Sequence, residues 1–188
     1  MACSHGVLSK LKLNGTRVEF LQPLRQMTVK NITDGSDDAI RGTLDHYSER
    51  VSDGLLWVKF LVTMNPSPTE LDVLIPLMGF TESPTDTFTL TDTITAFPVV
   101  IDDISKVHTY ANCKISKWML TGQKGSSPIR LSLEIVGTTW SEGAAASFGS
   151  ETIDADIAYG FTEGVLTLQA ATQVFDRFQI VGDNHLFV

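Results

Sequence analysis

A chain of 188 residues, 43% hydrophobic and 19% charged, is long enough to bury a sizeable core and too apolar for a disordered segment, so one domain over 1–188 is the expectation. No apolar run approaches the roughly 18–20 residues of a membrane span, and MACSHGVLSKLKLNG lacks the apolar centre of an export signal, so neither a membrane anchor nor export is expected. The net charge of −8 is unevenly placed, with no Lys, Arg or His from Phe60 to Ser105 or from Leu131 to Asp176; a sequence-specific nucleic-acid binder, which needs clustered cations, is disfavoured.

Val7–Leu13 alternates apolar and polar residues, Asn14-Gly15 marks a tight hairpin turn, and Thr16–Leu21 is the return strand. Pro23 breaks the pattern, Met27–Ile32 resumes it, and residues 33–38 read as a loop. Ile40–Leu44 begins a strand. The following Asp45, His46, Tyr47, Ser48, Glu49, Arg50, Val51, Ser52 and Asp53 are too polar for a core and carry no helical stripe. They are read as an exposed arm, within about 43–54, between two strands. Gly54 then precedes the apolar strand Leu55–Met64.

One helix is well specified, over about 68–78. Ser67 and Glu70 form an S-x-x-E capping box and Pro68 takes the first helical position. Leu71, Leu74, Ile75 and Met78 fall on a single stripe suited to packing on a sheet. Pro76 cannot donate to the Asp72 carbonyl, and Gly79 suits a left-handed cap, so the helix ends there.

Beyond the helix, Thr81–Pro84 reads as a turn and Thr87–Val100 as one long strand disturbed at Phe97-Pro98. Tyr110–Thr121 and Ile129–Thr139 make a strong antiparallel hairpin around the loop 122–128. Its first strand needs one slip, because Cys113 and Ile115 are out of phase with Trp118 and Leu120. Ser141–Ser150 is expected as a surface loop, and Gly164–Ala171 and Thr172–Val181 as the last strands. About ten strands and one short helix give an all-β fold, a sandwich or barrel.

No catalytic constellation assembles. His5, His46, His108 and His185 lack ligand spacing, and Cys3 and Cys113 stand alone, which argues against zinc and favours two reduced thiols over a disulfide. Asp102-Asp103 and Asp154/Asp156 are pairs that turns commonly supply, with too few oxygens for calcium. No phosphate cradle or nucleophile elbow is present. Cys113 reads as a core thiol; core packing accounts better than a sugar platform for Trp57, Trp118 and Trp140. No enzyme, cofactor or metal is therefore expected.

Three motifs in order resemble the tail tube proteins of long-tailed bacteriophages. The first is Arg41-Gly42-Thr43, the polar arm, Gly54, a strand and then PSPTELDVLIPLMGF. The second is Ala111-Asn112-Cys113-Lys114-Ile115-Ser116-Lys117-Trp118, followed by a glycine loop and a strand running into Val136-Gly137. The third is Val165-Leu166-Thr167-Leu168 with Phe178-Gln179-Ile180-Val181-Gly182-Asp183-Asn184. The resemblance implies a structural virion protein assembled in the host cytoplasm: a β-sandwich with a flanking helix, forming stacked hexameric rings. Sheets of neighbouring subunits would join into one inner barrel. DNA would pass through its lumen without specific binding, and other tail proteins would sit at the tube ends. The arm, Asp45–Asp53, would reach the next ring, and an acidic lumen would let a polyanion slide. Many relatives continue beyond the Asp-Asn segment, whereas this sequence stops at Val188; the resemblance leaves open a short variant or a piece of a longer chain. The alternatives are another phage structural protein, such as a head–tail connector, tail terminator or capsid decoration protein, and a non-catalytic ligand-binding sandwich using one of the tryptophans.

Overall fold

Asn14 and Gly15 both take positive φ, 50° and 83°, the conformation of a two-residue hairpin turn whose twist matches its flanking strands. They join β1 (Lys10–Leu13) to β2 (Thr16–Val18) with Leu13 opposite Thr16. The computed structural model describes residues 10–21, 25–34, 51–83, 87–144, 148–149 and 155–186, with backbone alone for 25–34, 51–57, 126–127, 163, 166 and 168. The chain is mostly β with one short helix and antiparallel sheets.

After β2 come β3 (Arg25–Asp34), β4 (Val51–Met64), α1 (Pro68–Leu77), β5 (Phe80–Ser83), β6 (Thr87–Leu90) and β7 (Phe97–Asp102). They are followed by β8 (Lys106–Gln123), β9 (Ser126–Gly137), β10 (Thr139–Ala144), β11 (Leu166–Leu168), β12 (Ala171–Gln173) and β13 (Arg177–Asp183). Four expectations change. The turn expected at Thr81–Pro84 falls largely on β5, which pairs with β6. The single run Thr87–Val100 is two strands, β6 and β7, separated by irregular backbone at 91–96. The expected surface loop from Ser141 begins as strand β10, because Ser141–Ala144 complete a ladder with β8 even though every β10 side chain is exposed. The two closing strands are three, since Gln169 and Ala170 turn at φ 50° and 62° between β11 and β12.

The main sheet follows the order β2-β1-β7-β8-β9-β4-β3, with β10 and β13 also paired to β8. β8 belongs to two layers. Its first half lies between β7 and β10, its second between β9 and β13. The bend falls near Asn112, which adopts φ 55°, a conformation that Asn tolerates better than most residues. The first layer is thus β2-β1-β7-β8-β10 and the second β13-β8-β9-β4-β3. On the far side, Leu21, just after β2, donates its N–H to Thr63 O of β4 at 2.7 Å, tying the layers a second time. The slip expected in β8 is a bulge: Ile115 faces Ile135, but Lys117 faces Glu134. One extra residue, Ser116, puts both Ile115 and Trp118 on the inner face.

That inner face builds one core. Leu11, Leu13, Val99 and Tyr110 of the first layer meet Val58, Phe60, Ile115, Leu131 and Ile135 of the second, all essentially without exposure. The Phe60 and Tyr110 rings meet edge to face at 4.7 Å. Cys113 is a free, fully buried thiol in the same cluster; burial pushes its pKa up to about 12, so it stays protonated and unreactive.

Candidate assembly surface

The outer face of the second layer is made by the residues that alternate with the core. Across the strands, the register aligns Asp183, Lys117, Glu134 and Leu61, and next to them Val181, Met119, Ser132 and Thr63. All of these but Asp183 line a shallow depression of about 450 Å³. Its charges are paired across strands: Lys59 to Glu134 at 2.7 Å and Lys117 to Asp183 at 3.0 Å. The His185 N–H and then the Lys117 ammonium hold the Asp183 carboxyl below its ordinary value, while a hydrogen bond to Asp183 raises Lys117. Among the described residues these four charges match, while Arg130 and Arg177, farther along the same face, have no ion pair. The two base-free stretches contribute Glu134 to it but no acidic surplus, so the acidic bias of the chain lies elsewhere.

Two strands bound this layer. Among the described residues, β13 pairs only with β8, and β3 only with β4. β13 exposes Ile180 at 51% and Val181 at 61%. It is pinned to β8 by two aromatic rings lying over glycines: Gly182 is opposite Trp118, and Gly122 opposite Phe178. A Cβ at Gly182 would sit 2.2 Å from the Trp118 indole, and one at Gly122 would sit 2.5 Å from Phe178. Each ring occupies the space its glycine leaves, so the register of the edge strand is set by shape. Phe178 also packs with Phe161 and Phe175, a small aromatic cluster that anchors the segment before β13.

α1 holds the two layers at fixed positions. Ser67 Oγ accepts from the Glu70 N–H at 3.1 Å, and Glu70 returns a carboxylate oxygen to the Ser67 N–H at 3.0 Å. The other Glu70 oxygen accepts the Glu19 N–H at 3.2 Å, so this buried carboxylate also ties the helix to the chain leaving β2. Of the expected stripe, Leu74 and Met78 are buried and Leu71 and Ile75 are half-buried against the core. Leu77 is buried as well, at 3% exposure, which widens the stripe. Gly79, at φ 99°, ends the helix. Beyond β13, the Asn184 side chain donates to Ile115 O at 2.8 Å and Met78 O at 3.3 Å, fastening the helix C-terminus to β8.

The arm expected at Asp45–Asp53 divides. Asp45, His46, Tyr47, Ser48, Glu49 and Arg50 lie outside the described residues. Val51, Ser52 and Asp53 belong to β4, opposite Asp34, Thr33 and Ile32, so β4 starts at Val51 and not at Leu55. Their polarity is compatible with a strand because this part of the ribbon pairs with β3 alone; β9 joins β4 only from Val58 onward. The β3–β4 ribbon therefore runs past the rest of the layer.

Of the three tryptophans, Trp57 is described by its backbone alone, on β4. Trp118 is buried beside Phe80, 5.7 Å between ring centroids. Trp140 is not a core residue: it is 46% exposed on β10 and lies against His108. Asp102 caps a turn through the Ile104 N–H, and Asp156 accepts from Thr69. Among the described residues, no group of three or more His, Cys, Asp or Glu is placed to hold a metal, and no helix is long and apolar enough to cross a membrane. The pins at Gly182 and Gly122 could not be read from the sequence, since their partners are set by register. No family model matches the chain, and no curated protein matches it.

Proposed function

We propose that the chain is a subunit of a bacteriophage tail tube, a structural virion protein whose stacked hexameric rings enclose a DNA-conducting lumen. The observation that carries this reading is the second layer, a sheet whose outer face is uncovered and whose edges at β3 and β13 are unpaired among the described residues. Such edges are ordinarily blunted or covered, because unpaired backbone groups recruit other chains. A ring consumes both at once, β3 of each copy meeting β13 of the next, and the bare faces then line a shared barrel. The six-fold order comes from the sequence resemblance alone.

The layer alternates antiparallel strands in the order β13-β8-β9-β4-β3. β13 and β3 therefore run in the same direction. In a rotationally symmetric ring their junction is parallel, unlike every pairing among the described residues. Over the middle of that face Lys59 and Lys117 are matched to carboxylates and offer DNA little to hold; Arg130 and Arg177 at its end are not matched. The ribbon that outruns the layer supports contact with the next ring, and other tail proteins would close the tube ends.

Cysteines placed on the two edges, Lys30→Cys with Ile180→Cys in a Cys3→Ser background, test the junction. Oxidation should give a ladder of covalent oligomers that stops at the ring size, with neighbouring pairs such as Val29 with Val181 scanning the register. Monomer alone across the whole scan would contradict the reading.

A further inference from the structure

At the end of the second layer where β8 turns into β9, the register sets a row of polar residues across three strands: Gln179 of β13, Thr121 of β8 and Arg130 of β9. Arg177, two residues before Gln179, faces Gln123 in the next row. With Asn65, just past the end of β4, these residues line one groove of about 550 Å³. β13 and β9 flank β8, so the two arginines stand on strands about 10 Å apart, near enough for two long side chains to reach one ligand. Lys10, Lys59, Lys106, Lys117 and Lys124 each pair with a carboxylate. Arg130 and Arg177 are exposed and have no ion pair, and among the described residues no Asp or Glu lines the groove with them. Two guanidinium forks that cannot give up their charge thus share a concave site with amide and hydroxyl donors.

We infer that this groove is a binding site for a phosphomonoester. It needs a single copy of the chain and stands apart from the tube reading. Charge selects the anion: a phosphate monoester carries close to two negative charges at neutral pH, one for each guanidinium. Its three terminal oxygens accept bidentate bonds from both forks, whereas a carboxylate, with one charge and two oxygens, satisfies one. Size selects the ester. A groove of about 550 Å³ is larger than a bare phosphate fills, and Phe178 and Pro128 line it beside the polar groups, so the esterified group meets apolar surface, as ligand sites usually provide. Duplex DNA would also satisfy an arginine, but its affinity comes from many singly charged phosphates contacted at once, and two guanidiniums supply few such contacts.

The test is calorimetric titration of the full-length chain with phenyl phosphate and, in parallel, with inorganic phosphate and benzoate. Phenyl phosphate should bind with a Kd of about 1 mM or below, inorganic phosphate more weakly, and benzoate more weakly still. Arg130→Gln and Arg177→Gln should each raise the phenyl phosphate Kd at least about tenfold, as expected for losing charged hydrogen bonds, at an unaltered melting temperature. Arg130→Lys and Arg177→Lys, which keep the charge without the fork, guard against a misfolded glutamine variant: each should also bind more weakly than the unaltered chain, and full binding by both overturns the inference. No saturable binding of phenyl phosphate, or a Kd unchanged in either glutamine variant, overturns it and leaves the tube reading intact. An equal loss in Lys106→Gln, a cation on the first layer, would mean binding by general charge and overturns it. So does benzoate binding as tightly as phenyl phosphate, and so does a short DNA duplex that binds more tightly than phenyl phosphate and loses that binding in the same arginine variants, which would give the groove to nucleic acid.

Discussion

The outer faces of the two layers are treated in opposite ways. On the first, Lys12, Asp102 and Val107 are 9%, 7% and 2% exposed, and Phe148 lies over Lys12, its carbonyl accepting from Lys12 Nζ at 2.6 Å and its ring 4.4 Å from that ammonium. On the second, Leu61 and Val181 stand 46% and 61% exposed beside charges that are paired but solvated. Among the described residues, one face is covered at Lys12 by Phe148 and the other is open. A monomer with no use for the second face would gain by covering it, because apolar surface removed from water stabilises by about 25 cal/mol per Å². This asymmetry is what the proposed assembly reading would explain, with the open face and the two edges meeting other copies.

Four substitutions break or sharpen that contrast. Phe60→Ala removes the ring that meets Tyr110 between the layers and should abolish the distinction altogether, lowering stability by about 3–5 kcal/mol in urea unfolding. Gly182→Ala drives a methyl into Trp118. A loss of about 1–3 kcal/mol is expected, with faster amide exchange confined to β13 and the residues after it, and assembly lost while the first layer stays protected. Glu70→Ala leaves the Ser67 and Glu19 N–H groups without their carboxylate and should cost about 1–3 kcal/mol. Glu70→Gln keeps the size but only one acceptor, with its NH2 facing the other N–H, so it should recover only part of that loss in the same melt.

The smallest effect is electrostatic. Asp183 is held below its ordinary carboxyl range, so its contribution is present at neutral pH and is lost only as pH falls below about 4 and through the lowered folded value. Lys117, raised by the same contact, keeps its contribution below the ordinary lysine range and loses it as pH rises through the raised value. Lys117→Met should move the Asp183 titration upward in an NMR pH series, without returning it to the free value, because the His185 N–H remains. An unmoved titration would remove Lys117 from the account.

The sequence spoke most clearly where local chemistry decides structure. Asn14-Gly15, the Ser67–Glu70 box, Gly79 and the phase slip between Ile115 and Trp118 each carry their own geometric signature, and each occurs in the fold. What escaped is set by partners distant in the chain. β10 is polar and fully exposed, and only its pairing with β8 makes it a strand. Val51–Asp53 looked like an arm for the same reason. The rings over Gly122 and Gly182, and the Asn184 clasp on Ile115 and Met78, depend on a register that no local pattern encodes. The groove at Arg130 and Arg177 brings together residues from separate strands that read individually as ordinary surface cations.

Electron microscopy of the purified full-length chain at rising concentration tests the central claim most directly. Open tubes of stacked six-fold rings, with the β3–β13 junction continuous around the inner wall, are the predicted result. A chain that stays monomeric at high concentration, with both edges of the second layer still open, would contradict it.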